Sequence, residues 1–349
     1  MTSKLGDRRW LLVALLSGIM IAMLLVAGCA PRPTTDSGSA QEASEVDGLS
    51  KEPETPPVIE ATSLLGQPLA RPEIDDEFRL RQEALLAEAE RDLADDPGDS
   101  EAGVWIGRRL GYLGRYGEAI AHYSAGLEEH PDDPWLIRHR GHRYITVRQL
   151  DRAVADFEHA TMLVEGQEDV VEPDGLPNAL GIPTSSLHTN LWYHLGLAHY
   201  LRGDWLAAVE AYARCHAAAT NDDMRVAATY WWYLALRRLE RDGEARRLLE
   251  PITPELELIE NHDYHDLLLV FRGDGDGEAL LEEAGQAGGG AFATLGYGLG
   301  AWHLVEGRAD PAQEIWSAIV AGPAWPSFGH IAAEAELARG GSPQEDGAG

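Results

Sequence analysis

Apolar residues recur every three to four positions from residue 77 onward, and short polar turns interrupt them. This spacing places apolar side chains on one face of an α-helix and predicts a succession of amphipathic helices. In four stretches, a small residue is followed 16 positions later by an aromatic one. The stretches are VWIGRRLGYLGRYGEAIAHYSAG at 104–126, RHRGHRYITVRQLDRAVADFEHA at 138–160, YHLGLAHYLRGDWLAAVEAYARC at 193–215 and YGLGAWHLVEGRADPAQEIWSAI at 297–319.

The repeated glycine marks the length of one unit. Gly107 and Gly141 are 34 residues apart, and Gly196 and Gly300 are 104 apart, close to three such units. A 34-residue period made of two helices is typical of tetratricopeptide repeats (TPRs). The sequence resembles this family over residues 77–339. The resemblance implies an all-α fold, a right-handed superhelical solenoid of about six TPR-like helix pairs.

The small and aromatic positions have complementary roles in this interpretation. The small residues let the two helices of a unit approach each other closely. The aromatic side chains are expected to fill the gap to the next unit. These aromatic residues are Tyr123, Phe157, Tyr212 and Trp316.

The resemblance also implies a concave groove lined by the first helix of each unit. The residues that match groove positions bring aromatic rings and arginines into an acidic chain, where they are expected to bind a carboxylate or a peptide segment. The alternative is that many of them simply pack against the next helix. The predicted groove residues are Arg108, Trp135, Arg138, His142, Asn190, Tyr193, Tyr200 and Trp232.

An irregular segment at 166–190 adds 21 residues to the period between Gly141 and Gly196. It lacks helical spacing, and long irregular connections inside compact folds are usually functional or disordered. Our hypothesis is that it lies over the groove edge beside Tyr193 and His194 and partly fills the binding surface. The apolar side chains expected to hold it down are Leu176, Leu180, Ile182 and Leu187.

The N-terminus carries a basic start, Lys4, Arg8 and Arg9, and an apolar run at 10–26. The following LVAGC, residues 25–29, resembles a bacterial lipobox. The resemblance implies a lipoprotein signal peptide at 1–28 and acylation of Cys29, with several acyl chains holding the protein on a membrane without spanning it. A transmembrane anchor or an ordinary secretory signal is the alternative.

The remaining segments complete the predicted domain organisation. Residues 29–72 are rich in Pro, Ser, Thr, Gly and Glu and predict a lipidated, disordered tether. The solenoid follows at 73–339, and residues 340–349 form a disordered tail. The predicted location is the bacterial cell envelope, at the outer membrane and facing the periplasm.

The charge balance restricts the partners. The chain has 28 Lys and Arg against 58 Asp and Glu, a net charge of −30. This excludes nucleic acid and electrostatic adhesion to anionic lipid as expected partners. Of the two cysteines, Cys29 is assigned to lipidation, so Cys215 has no partner for an intrachain disulfide and is expected to pack as a small apolar residue.

Thirteen histidines leave a metal-dependent enzyme or metal-binding protein open as an alternative. His188, His194 and His199 lie close in sequence, and His262, His265 and Asp266 share part of a helix, so that either group has residue types that bind zinc. No HExxH, GxSxG, Walker or paired CxxC motif is present. The loop at 273–277 lacks the ligand pattern of an EF-hand and predicts a turn.

The sequence therefore predicts a membrane-anchored TPR adaptor that binds another envelope protein or one of its peptide segments. It predicts no catalytic activity, no metal and no cofactor. A structural spacer or homo-oligomer is the second alternative.

Overall fold

The computed structural model describes residues 56–340 of the chain. The predicted signal peptide, Cys29, most of the predicted tether and nearly all of the tail lie outside the described residues. Within the described part, no helix combines the length and the apolar character needed to cross a membrane.

A short antiparallel hairpin precedes a long series of helices in the described residues. The hairpin consists of β1 (Ile59–Thr62) and β2 (Pro68–Ala70). The helices are α1 (Asp76–Asp95), α2 (Ser100–Tyr112), α3 (Tyr116–Glu129), α4 (Pro134–Thr146), α5 (Leu150–Leu163), α6 (Leu187–Arg202), α7 (Trp205–Ala218), α8 (Asp222–Arg238), α9 (Asp242–Leu248), α10 (His262–Arg272), α11 (Gly277–Ala287), α12 (Gly289–Val305), α13 (Ala309–Val320) and α14 (Phe328–Ala338).

Consecutive helices pack as pairs, from α2 with α3 to α12 with α13. The first helix of each pair also contacts the first helix of the next pair; for example, α4 contacts α6, and α10 contacts α12. Helix α1 covers α2 at one end, and α14 packs on α12 and α13 at the other. The predicted all-α solenoid of helix pairs is confirmed, including the two terminal helices that cover exposed repeat surface.

In four of the helix pairs, the glycine of the first helix lies directly beneath the aromatic ring of the second. A Cβ placed on Gly141 would be 2.9 Å from the Phe157 ring, and one on Gly196 would be 2.9 Å from Tyr212. Such separations are shorter than real Cβ contacts, so only glycine permits this helix spacing. The expectation that the ring fills the gap to the next unit is incomplete, because its main contact is within its own unit. Tyr123 does both, since its ring also stacks on His139 of the next unit.

The β-hairpin is a correction to the predicted tether, which extended to residue 72. The Leu64 N–H donates to Glu334 Oε2 at 3.0 Å, and Trp325 Nε1 donates to the Ala70 carbonyl at 2.8 Å. Leu64 and Leu69 pack against the main hydrophobic core. The local composition predicted disorder because the residues that hold the hairpin lie more than 250 positions away in sequence.

A buried ion pair joins the hairpin, the second repeat and the last helix; we call it the Arg148 clasp. Arg148 Nη2 lies 2.6 Å from Glu334 Oε1, and Arg148 Nε donates to Glu334 Oε2 at 3.1 Å. The same guanidinium donates to the Trp325 carbonyl at 2.8 Å. Burial by itself raises the pKa of Glu334, but hydrogen bonds from His330, Arg148 and the Leu64 N–H outweigh it and lower that pKa to about 2. Glu334 is therefore ionised and satisfied by donors from three parts of the chain.

Two smaller expectations are confirmed. Cys215 is buried, its Sγ lies 3.4 Å from the Thr189 carbonyl, and burial raises the pKa of its thiol. The 273–277 segment is a turn, in which Gly273 ends α10 with a φ of 96° and the Asp276 side chain caps α11.

We expect Gly196→Ala to destabilise the protein by about 1–3 kcal/mol, because the new methyl group has no room beside the Tyr212 ring. The matched control is Gly285→Ala in α11, where nothing lies within 4 Å of a new Cβ. Alanine there should stabilise the helix by about 0.5–1 kcal/mol. Urea unfolding of the full chain in detergent measures both, and equal effects of the two substitutions would contradict the packing role of Gly196.

The Arg148 clasp predicts a loss of stability in acid. Because the folded-state pKa of Glu334 is depressed to about 2 from 4.5, its contribution is present above pH 4.5 and is lost as the pH falls towards 2. We expect Glu334→Gln to flatten the fall in unfolding free energy over this window, by on the order of 3 kcal/mol. Glu244→Gln removes a solvent-exposed partner of Arg241 and is the control, with little change expected. Superimposable pH profiles of wild type and Glu334→Gln would contradict the role of the clasp.

Candidate functional site

The irregular segment 166–186 between α5 and α6 forms a strap across the first helices of the repeats. Its two ends lie side by side, because Val171 and Ser186 form an antiparallel bridge and the Glu172 N–H donates to the Ser185 carbonyl at 3.1 Å. Asp169 accepts from the Ser186 hydroxyl at 2.6 Å, close to the start of α6. The strap therefore leaves α5, crosses the repeats and returns to α6 as an ordered loop.

Glu172 is the innermost residue of the strap. Its side chain is 5% exposed and lies among cationic and polar groups from α2, α4 and α6. Asn190 Nδ2 donates to Glu172 Oε2 at 2.7 Å, and Arg138 Nε lies 3.2 Å from the same oxygen. Arg108 Nη1 and His139 Nε2 lie 3.8 and 3.5 Å from Glu172 Oε1. One carboxylate of the chain itself thus occupies the cationic part of the predicted groove.

Backbone carbonyls of the strap accept hydrogen bonds from two arginines of α2, Arg108 and Arg109. Arg108 Nη1 donates to the Pro173 carbonyl at 2.8 Å, and Arg109 Nη1 donates to the Gly175 carbonyl at 3.2 Å. A Cβ on Gly175 would lie 2.8 Å from Arg108 Nη2, so this approach requires glycine. The middle of the strap is held on α2 by polar contacts.

The far part of the strap is fixed to the segment that precedes α10. Asn178 Nδ2 donates to Glu260 Oε2 at 3.2 Å, and the Thr184 hydroxyl donates to the other Glu260 oxygen. Asn221 Nδ2 donates to the Thr184 carbonyl at 2.7 Å. Asp223 in turn accepts hydrogen bonds from the backbone N–H groups of residues 259–261. The strap is anchored at both α2 and the α8–α10 connection.

The expected apolar anchors of the strap are largely wrong. Leu176, Leu180 and Ile182 are 49%, 67% and 49% exposed, whereas Leu187 is buried as the first residue of α6. Glu172 and the backbone carbonyls hold the strap instead. Polar anchoring prevails here because the arginines beneath need acceptors when the strap covers them.

Three histidines near the strap, His139, His142 and His194, are neutral. Burial, followed by the charge of Arg138, lowers the pKa of His139 and His194 well below the usual value. Burial and the charge of Arg143 do the same for His142. Burial also lowers the pKa of Arg138, and the carboxylate of Glu172 opposes that shift. The positive charge under the strap therefore belongs to arginines and not to imidazoles.

An apolar cleft opens beside the buried carboxylate. Its volume is about 320 Å³, and it lies between α2, α4 and the strap. Trp105 and Trp135 are half-buried, while Val170 and Val171 expose more than half of their surface. Arg108 forms the boundary between the cleft and the polar site around Glu172, and its guanidinium lies 4.4 Å from the Trp105 ring centroid. The cleft is lined by Ser100, Glu101, Val104, Trp105, Arg108, Trp135, Val170, Val171 and Pro173.

The structure brings together five of the eight predicted groove residues. Arg108, Arg138 and Asn190 meet at Glu172, His142 lines the small cavity beneath the strap, and Trp135 lines the apolar cleft. They form a partly filled site rather than a continuous open groove.

Three predicted groove residues lie elsewhere. Tyr193 and Tyr200 are buried; the Tyr193 hydroxyl accepts from Trp231 Nε1 at 2.9 Å, and Tyr297 donates to the Tyr200 hydroxyl at 2.8 Å. Trp232 lies against His216 of α7. These residues follow the helix-packing alternative, because Tyr193 packs against α8, Tyr200 against α12 and Trp232 beside α7.

The two histidine groups considered for a metal do not converge. His194 Nδ1 lies 2.7 Å from the Asn190 carbonyl, whereas His199 lies beside Asp204. His265 Nε2 lies 2.9 Å from the Thr253 carbonyl. Among residues 56–340, no three His, Cys, Asp or Glu side chains are placed to hold a metal ion together.

Sequence reasoning missed Glu172, Trp105 and Arg143. Glu172 lies in the run Val170-Val171-Glu172-Pro173, inside an irregular segment that also contains Glu168, Asp169 and Asp174. Nothing local distinguishes that glutamate from its acidic neighbours, because its partners lie on α2, α4 and α6.

Comparisons with known proteins do not identify a function for this chain. No family model and no curated protein matches the chain. Among solved structures, it is similar to YrrB, described as a TPR protein with an unusual peptide-binding site, at 14% identity over 67% of this chain and 91% of that one, with a TM-score of 0.39. It is also similar to a chain of the Naa15/Naa10 complex bound to HypK-THB, at 16% identity over 68% of this chain and 33% of that one, with a TM-score of 0.33. Neither likeness bears on the function at these TM-scores.

We expect Glu172→Gln to loosen the strap, because it leaves Arg138 buried without its carboxylate. Hydrogen–deuterium exchange of the full chain should be faster by at least about tenfold at residues 170–185, and the protein should lose about 3 kcal/mol of stability. Glu168→Gln alters an exposed glutamate of the same segment and is the control. Unchanged exchange in Glu172→Gln would show that the carboxylate does not hold the strap.

Proposed function

We propose that this chain is a non-catalytic, envelope-anchored scaffold that binds an extended segment of another envelope protein in the cleft between α2, α4 and the strap. The observation that supports the proposal is the cleft itself, with two half-buried tryptophans facing two exposed valines. Aromatic side chains in such positions dominate binding energy at protein interfaces. The lipobox-like residues 25–29 support the anchoring part of the proposal.

The dimensions and charge of the cleft restrict the segment it takes. At about 320 Å³, it is at the small end of ligand sites and accommodates one or two apolar side chains. The net charge of −30 favours encounter with a segment whose flanking residues are basic. The proposed ligand is therefore a short apolar motif with basic neighbours.

The strap gives the cleft its second wall. Val170, Val171 and Pro173 face the cleft, while Glu172 between them points to the arginines beneath. The alternating direction of successive side chains in an extended segment accounts for residues 171–173, in which Val171 and Pro173 lie on the side opposite to Glu172. The integrity of the cleft thus depends on the burial of Glu172.

Affinity isolation from solubilised envelope fractions with the full chain in detergent, followed by mass spectrometry, identifies a partner. Synthetic peptides of that partner are then titrated into the wild type and two tryptophan variants. We expect Trp135→Ala to weaken peptide binding about 30-fold or more, as for a buried interface anchor.

Trp192→Ala is the matched control, because Trp192 is a half-buried tryptophan on α6, outside the cleft and against Arg214. It should change the affinity by less than about threefold. Far-ultraviolet circular dichroism checks that both variants remain folded. Equal loss of binding in the two variants, or none in either, would place the contact outside the cleft.

A further inference from the structure

A second cavity lies beneath the strap, on the other side of Arg108 from the apolar cleft. Its volume is about 130 Å³. Three arginines line it, Arg108, Arg138 and Arg143, together with His139 and the single carboxylate of Glu172. It shares Arg108 with the cleft, but its ligand is inferred from its own lining and not from the proposed peptide binding.

The side chains that line the cavity carry more positive than negative charge. Three guanidinium groups face one carboxylate, and the adjacent histidines are uncharged because burial lowers their pKa. Two positive charges therefore remain without a counter-charge among the groups that line the cavity. Buried charges without a partner are costly, so such a site favours the uptake of an anion.

Two buried donors in the cavity lack hydrogen-bond acceptors. Arg138 Nε and His139 Nε2 belong to side chains that are 7% and 6% exposed, and neither makes a hydrogen bond within the described part of the chain. Arg138 Nη1 lies 3.0 Å from His139 Nδ1 and donates to it. The neutral ring therefore carries its proton on Nε2, which makes that atom a donor. Glu172 is nearby but does not satisfy either group.

The space around Arg143 is provided by a glycine. A Cβ on Gly111 would lie 2.8 Å from Arg143 Nη1, so a larger residue there would displace the guanidinium. Arg143 also lies over the Tyr116 ring, with its guanidinium carbon 5.5 Å from the centroid. Arg143 is thus held over α2 at the wall of the cavity.

We propose that this cavity binds one small tetrahedral oxyanion of the size of phosphate or sulfate. A single water-sized sphere occupies about 10–15 Å³ of such a volume, so the cavity has room for an ion of five heavy atoms. Arg108, Arg138 and Arg143 supply charge and multiple N–H donors, which match oxyanions well. The nearby Glu172 carboxylate limits the affinity.

Thermal unfolding of the full chain in detergent tests the proposal, with sodium phosphate compared with sodium chloride at equal ionic strength and pH 7. At phosphate about a hundredfold above its Kd, we expect the Tm to rise by about 5 °C over the chloride sample. Isothermal titration calorimetry should give one site per chain.

Two variants locate the ion. Arg143→Gln should abolish the phosphate-specific rise, whereas Arg225→Gln, which alters an exposed arginine paired with Asp222, should keep it. Glu172→Gln removes the opposing charge and should bind phosphate about tenfold more tightly. Phosphate should also slow the fast hydrogen exchange of the strap in that variant.

The remaining outcomes overturn the proposal. Equal Tm values in phosphate and chloride, for both wild type and Glu172→Gln, would mean that water fills the cavity. A phosphate response that survives in Arg143→Gln would place the ion elsewhere. Saturable binding of acetate with no binding of phosphate or sulfate would make this a site for a carboxylate instead.

Discussion

The contact between a glycine of the first helix and an aromatic ring of the second determines how closely four of the six helix pairs in the described residues pack. Gly141 beneath Phe157 and Gly196 beneath Tyr212 show the same geometry in successive units. Because any side chain at the glycine would separate the helices, the spacing within a unit is fixed by one position. The spacing between units follows from it, since Phe157 and Tyr123 reach onward to His194 and His139. Local periodicity thus carries the information for most of the fold.

The contacts of α12 and α14 with α6 join helices far apart in sequence, so no local sequence pattern predicts them. Helix α14 contacts α6, and Arg339 Nη1 donates to the Leu201 carbonyl at 2.8 Å. Together with the Tyr200–Tyr297 hydrogen bond, this contact fills a face that an open solenoid would leave free. Residues assigned to the groove by position within a repeat therefore come together near α2 and α4, whereas Tyr193 and Tyr200 are buried where the chain folds back on itself.

The difference between local spacing and contacts distant in sequence explains which features the sequence could predict and which it could not. Helix pairs, the terminal helices and the burial of Cys215 follow from spacing and residue size. The hairpin at 59–70 and the insertion of Glu172 depend on partners far away in sequence, so composition predicted disorder for one and apolar anchoring for the other. Exposed leucines in the strap were the more visible signal, yet Glu172 is buried because it meets Arg108 and Arg138 of two successive repeats.

The β-hairpin is also the point at which mechanical load would enter the folded part. The chain that precedes residue 56 is covalently continuous with β1, so tension along it is transmitted first to the hairpin. The hairpin is bonded to Glu334 and Trp325, and through Arg148 to the turn after α4. A pull from the N-terminal side is therefore shared between the second repeat and the last helix instead of peeling the repeats away one at a time. Glu334 is common to these connections, because it accepts from both the hairpin and Arg148.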